Sequence, residues 1–170
     1  MAFSTYDVTI LTAKGALESL ANILHIGEKH PNANALLAAR LADDMKPLTF
    51  QVHIVTVLSE IIVARLTGRE KINYEDDLSS FAEMYQRIDQ VLKALDEADK
   101  DEVNKRGEQS EMTAVFSIEK EMTGSALAHG VCIPNIFFHL STAYAILRKE
   151  GVPLEKRDYL MPLLTKHLTL

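Results

Sequence analysis

Residues 133–160 read IPNIFFHLSTAYAILRKEGVPLEKRDYL, an apolar helix followed by a short charged tail. Ile136, Leu140, Tyr144 and Leu147 recur at the three-to-four spacing of one buried helical face. Yet Pro134, Asn135 and His139 stand in the most apolar part, where a plain core helix carries Leu and Ala. Two readings fit: a kinked helix with a satisfied core histidine, or one wall of a ligand or metal pocket. The helix is expected to begin near Thr123 or Ser125 and to stop at Gly151. Pro134 lies inside it. Proline lacks the backbone N–H and clashes with the preceding turn, so it should kink the helix or divide it.

Helical periodicity governs the remainder of the chain. Ser4 or Thr5 caps a first helix running to about Lys29, with Tyr6, Ile10, Ala13, Leu17, Leu20 and Leu24 on its buried face. HPNAN (30–34) ends it, because proline and asparagine favour turns. ALLAARLADDM (35–45) reads as a short helix, with Arg40 and Asp44 spaced to pair. Residues 46–68 form a second long helix, Pro47 in its first turn and Gly68 at its stop. It is apolar on nearly all sides, so it is expected to be buried against several others. A third helix is expected over 74–99, its acidic start suiting the helix dipole. Residues 99–123 lose the period, and TAVFSI (113–118) suits an extended piece or hairpin arm. In the tail, Arg148, Arg157 and Asp158 are placed to fasten it to the bundle. The expected fold is all-α: one four-helix-bundle domain over 1–170, with a long crossover between helices three and four.

Charge and composition narrow the function. The 170-residue chain carries net −6 with a pI near 5.5, without the basic footprint of a nucleic-acid binder. No window holds the run of ~18 uncharged apolar residues that a membrane span needs. The N-terminus lacks a secretory pattern, and the lone Cys132 cannot make an internal disulfide, so a reducing cytoplasmic setting is expected. Cys132 itself reads as a small buried hydrophobe. There is no glycine-rich phosphate loop, no nucleophile-elbow serine and no CxxC.

The polar residues inside apolar helices are the candidates for a site. His53 and Glu60 are seven apart, about 20° from each other around a helix, with Thr56 between them. They form either a satisfied polar network or a titratable pair facing a cleft. Asn135 and His139 share one face of the last long helix, and bundles build their sites from facing helices. His53 can therefore meet Asn135 and His139 across the core. A zinc-type centre commonly shows a His-x3-His pair, and none occurs here. His129 and His139 are ten apart, about 80° from a shared face. His25 and His30 sit at a helix end, where cations are favoured.

PNIFFHLSTAYAILRKEGVPLEKRDYL (134–160) is similar to the C-terminal signature of a bacterial and fungal family of unknown function within the DinB/YfiT-like four-helix superfamily. LLAARLADDMKPLTFQV (36–52) and YEDDLSSFAEMYQRIDQVLKALD (74–96) resemble further blocks of it, so the likeness spans nearly the whole chain. Fungal members often bear a helix-turn-helix name, which the acidic balance here does not support. The resemblance implies an up-and-down bundle, homodimers, and often a metal held by three histidines, one on helix two and two in a His-x3-His on helix four. By position His53 and His139 match two of them, while the third falls on Asn135 or Ala143. Superfamily members include thiol-dependent transferases and isomerases, and relatives accompany small-molecule biosynthesis genes in fungi.

Three functions are expected to compete. The first is an isomerase- or dehydratase-type (lyase) enzyme for a hydrophobic, secondary-metabolite-like molecule, needing no cofactor. His53 or His139 would be its acid or base. Glu60 would orient His53, and Asn135 would hold a carbonyl or enolate oxygen. Tyr144, Tyr6, Phe138 and His129 would contact substrate. The second is a divalent-metal enzyme with His53, His139 and His129 as ligands, brought together by a kink at Pro134. The third is a non-catalytic ligand-binding or dimer-scaffold protein.

Overall fold

The computed structural model describes residues 3–115 and 117–166. Helix α1 spans Thr5–Gly27. Ser4 caps it: its hydroxyl accepts from the Asp7 N–H while the Asp7 carboxylate accepts from the Ser4 N–H. That reciprocal box satisfies two otherwise orphan donors.

The short helix expected over 35–45 shrinks to α2, Ala33–Leu36. Only Leu36 is fully buried there, with Leu37 and Ala39 partly covered, so the rest lacks a buried face to stabilise a longer helix and runs as turns. Arg40 donates to the Met45 carbonyl instead of pairing with Asp44. Helix α3, Leu48–Thr67, starts after Pro47, which stands at the N-cap position, and ends at Gly68 in the left-handed region (φ 73°). It packs on α1, on the two later long helices and on the crossover, as its all-round apolar sequence requires.

Helix α4, Phe81–Asp96, begins seven residues later than its acidic prelude suggested. Ser80 caps it, accepting from Glu83 N–H, while Ser79 N–H and hydroxyl both donate to the Glu83 carboxylate. These bonds set the start, and residues 69–80 form an extended strap. The crossover then contains a two-turn helix α5, Lys100–Gly107, capped by Asp99. Strands β1, Ser110–Val115, and β2, Ile118–Thr123, pair antiparallel from Ser110↔Thr123 to Val115↔Ile118. The extended reading of 113–118 holds, with Phe116 outside the described residues.

The long helix around Pro134 is divided. Ala126–Cys132 form a π-helical turn, and α6, Ile133–Lys149, follows with Pro134 in its first turn. A proline cannot donate to the preceding turn, and the wider π turn absorbs that missing bond. The tail becomes helix α7, Lys156–Thr165, which the charged sequence did not announce. It lies along α1. Ser19 Oγ donates to the Tyr159 carbonyl (2.7 Å) and Asn22 Nδ2 to the Asp158 carbonyl (2.8 Å). Asp158 also accepts from Glu155 N–H at the start of α7, and Arg148 donates to Val152 O, so these two hold the tail; Arg157 is exposed and, among the described residues, has no hydrogen-bond or ion-pair partner.

Ile10, Leu17, Leu20, Ile62, Leu66, Ile88, Leu140 and Leu147 belong to one continuous buried cluster. Against expectation, the Leu48–Thr67 and Ala126–Lys149 runs are long and apolar enough to cross a membrane by length and composition. The first is 67% buried inside the fold, as a core helix of a bundle is.

Candidate functional site

α3 and α6 cross where α3 carries Phe50, Gln51 and His53 and α6 carries Asn135 and His139. Gln51 is 2% exposed, and its amide is oriented by two carbonyls. Its Nε2 donates to Lys46 O (2.9 Å) and Pro47 O (3.3 Å). Its Oε1 therefore accepts, and the partner is His139 Nδ1 at 2.7 Å. A neutral imidazole carries one proton. With that proton on Nδ1, Nε2 of His139 holds a free lone pair. No buried side-chain polar atom among the described residues lacks a partner, and this Nε2 has none, so it is open to solvent.

His139 lines a groove of about 520 Å³, walled also by Phe50 and Ile54 of α3, Val115 of β1, and Val131, Pro134 and Asn135. Gly130 borders it where a side chain would meet open space. Among the described residues no charged side chain lines the groove. The apolar walls hold His139 below the ordinary histidine pKa by desolvation, so the ring is neutral at neutral pH. An apolar concavity with one imidazole acceptor and one primary amide suits a small apolar molecule with a single polar group.

His53 lies near by but is wired oppositely. Its Nδ1 meets Arg87 Nη1 at 3.2 Å. Arginine only donates, so Nδ1 accepts and the proton sits on Nε2. Arg87 also donates to the Glu75 carbonyl (2.8 Å) and to Asp77 Oδ1 (2.7 Å), and it lies over the Tyr74 ring. Burial, the largest cause, lowers the His53 pKa. Asp76, the next largest, opposes it, and the Arg87 charge adds to the lowering. The His53 and His139 rings each stand 6.1 Å from the Phe50 ring.

Several expected partners fall elsewhere. Glu60 does not orient His53. It is 1% exposed, and its two oxygens take both Nη groups of Arg69 (2.6 Å each) and the Ile72 N–H (2.8 Å). A buried carboxylate needs such a partner, and the strap supplies it. Tyr144 stacks edge-on against Tyr159 of α7, away from the groove. Tyr6 sits beside α5, its N–H on Asn104 Oδ1 and its ring under Lys100. Phe138 is 58% exposed and meets His139 edge-on at 5.2 Å, so it borders the imidazole from outside. His129 lies in the π turn and faces a second groove of about 380 Å³, against Phe3, Val8 and Phe137. His129 lines this second groove with Ile133 and Phe137, while His139 lines the first with Val131 and Asn135. Division at Pro134 therefore does not bring His129 to His139.

A three-histidine metal centre does not fit this donor set. Asn135 or Ala143 stands where the resemblance places the second α6 histidine, neither of them a histidine, and a cation at His53 would sit beside the Arg87 guanidinium. Among the described residues no group of three His, Cys, Asp or Glu side chains converges. Cys132 is buried, and desolvation pushes its thiol up to about 12, so it acts as a hydrophobe. Sequence reading missed Gln51 and Arg87. Gln51 had a signal, a lone amide in an apolar helix two residues before His53. Arg87 had none, being one charge on an exposed helical face.

No match was found among curated proteins. A crystal structure of a DinB family member protein from Shewanella denitrificans superposes with a TM-score of 0.81 at 33% identity, covering 91% of this chain and 90% of that one. The model of the domain of unknown function DUF1993 matches residues 5–160. With nearly the whole chain matched, and with the divided α6 and its crossover in place, the protein belongs to the DUF1993 family and has a DinB-like helical fold.

Proposed function

We propose that the groove binds an apolar small molecule with one carbonyl, and that His139 moves a proton on it. The observation that carries this reading is the Gln51–His139 hydrogen bond, which leaves a bare Nε2 at the groove. Nε2 takes a proton from the carbon next to the substrate carbonyl. The C–H electron pair passes to the carbonyl oxygen, and the Asn135 amide donates to the resulting enolate. The imidazolium, stabilised through Nδ1–H by Gln51, then returns the proton. Return to a different carbon is isomerisation. Return to a departing β-hydroxyl releases water and leaves an alkene. Both steps balance without a cofactor. His53 is the weaker candidate for base, since its Nδ1 is held by a cation and its ring is 8% exposed.

The test needs no named substrate. Enolisable apolar ketones are incubated with the protein in heavy water, and deuterium uptake is followed by mass spectrometry. Uptake with at least one ketone, lost in His139→Gln and kept in His53→Gln, is expected. Binding without uptake across the panel would leave a ligand carrier and sink the catalytic reading.

A further inference from the structure

At the far end of α3 a different cavity, of about 310 Å³, gathers Arg65, Gly68, Arg69, Lys71, Arg106 and Glu111. Four cations around one hollow are unexpected in a chain of net −6. Three of them carry a glutamate: Arg65 with Glu111, Arg69 with Glu60, and Arg106 Nε with Glu102 (2.6 Å). Lys71 has no such partner among the described residues, nor do the two Nη groups of Arg106. The partial negative charge of the α3 C-terminus accounts for Arg65 and Arg69 near it. It does not account for Lys71 and Arg106, which arrive from the strap and from α5.

The backbone makes room for Arg106. Its guanidinium lies flat on Gly68, where a Cβ would collide with Cζ and both Nη atoms. Gly68 is required by its left-handed φ, and its missing side chain lets the Arg106 guanidinium rest against it. Among the described residues Glu111 is the one carboxylate lining the cavity, and its side chain is 56% exposed, so it can swing off Arg65 toward solvent.

We propose that this cavity binds a compact oxyanion of charge near −2, phosphate or a phosphate monoester. The two Nη groups of Arg106 would form the planar fork, Lys71 the point charge, and Arg65 a further donor once Glu111 moves.

Isothermal titration with inorganic phosphate, and separately with glycerol 3-phosphate, tests it at constant ionic strength and about pH 8, where a phosphate monoester is close to doubly charged. Saturable binding of at least one is expected, with the tighter of the two naming the source. Arg106→Gln and Lys71→Gln should each weaken it about tenfold, the scale of one charge-assisted hydrogen bond. Lys156→Gln, at a lysine outside the cavity, should leave it unchanged. Lys71 is exposed and unpaired, so its replacement cannot act through the fold. Linear, unsaturable heats overturn the proposal. So does equal weakening by Lys156→Gln, or equal binding of acetate, which would mean general charge screening.

Discussion

Two imidazoles border the Phe50 ring, and the fold treats them in opposite ways. His53 accepts at Nδ1 from a guanidinium, inside a knot of charge that ties the 69–80 strap to α3 and α4. His139 donates at Nδ1 to a neutral amide and turns Nε2 to an uncharged groove. The same residue type is a fastening in one place and an open acceptor in the other. What separates them is the partner of a single ring nitrogen, because that partner decides where the one proton of a neutral imidazole resides. Desolvation lowers both pKa values, so burial alone does not tell the two apart.

The largest effect should come from cutting the fastened side. Arg69→Ala leaves the Glu60 carboxylate buried and unpaired, and stripping one partner from a buried pair costs about 3–5 kcal/mol. Because Arg69 itself is a third exposed, water partly screens the remaining charge, and the low end is expected, about 3 kcal/mol. Urea unfolding gives the value. A loss below about 0.5 kcal/mol, the size of ordinary surface substitutions, would mean the strap is not anchored there. Next is the open side. His139→Gln should slow deuterium uptake by about a hundredfold, a typical general-base contribution, with unfolding nearly unchanged. If His53→Gln costs as much activity as His139→Gln, the contrast between the two rings fails.

A smaller effect probes the wiring itself. Gln51→Leu removes the acceptor that fixes the His139 tautomer, and about a tenfold fall in kcat with little change in KM is expected. Gln51→Glu keeps an acceptor and adds a charge, so it should move the pH midpoint of activity upward. A purely structural Gln51 would leave that midpoint where it is.

Much of this contrast was legible before any coordinates. The all-round apolar sequence of α3 marked a helix buried against several others, and Pro134 marked the division of the last helix. His53, Asn135 and His139 stood out as polar intrusions on apolar faces. The wiring was not legible, because it joins residues far apart in the chain. Arg87 meets His53 across 34 positions and His139 meets Gln51 across 88. Glu60 was read as a partner for His53 because both share a helical face. The competing partner, Arg69, comes from a segment with no periodicity to announce it. The acidic run 75–77 resembled a helix start, yet Asp77 and the Glu75 carbonyl are used to hold Arg87. Helix α7 escaped notice for a related reason: none of its residues is fully buried, and only Tyr159 and Leu163 pack partly buried against the core, too short an apolar stripe to stand out in a charged sequence.

The smallest expected effect is also the most diagnostic. Both imidazoles have folded-state pKa values below the ordinary 6.5. The unfolded chain therefore binds more protons than the native one at mildly acid pH, and stability rises with pH in that window. The contribution is fully present above about pH 6.5 and is lost as pH falls through the depressed folded values. Asp7, held down to about 2 chiefly by its hydrogen bond with Lys100, contributes in the same direction but only at lower pH, below its ordinary 3.8. Between about pH 5 and 7 the slope should therefore come mainly from the histidines. Urea unfolding across that range should give a slope that His53→Gln reduces and that His139→Gln reduces independently, since the rings have separate partners. Activity should follow His139 alone, rising with pH to a plateau at neutrality and keeping its midpoint in His53→Gln. A midpoint that moves in His53→Gln would mean the two imidazoles titrate as one coupled pair across Phe50, and the fastened and open sides would then be one site.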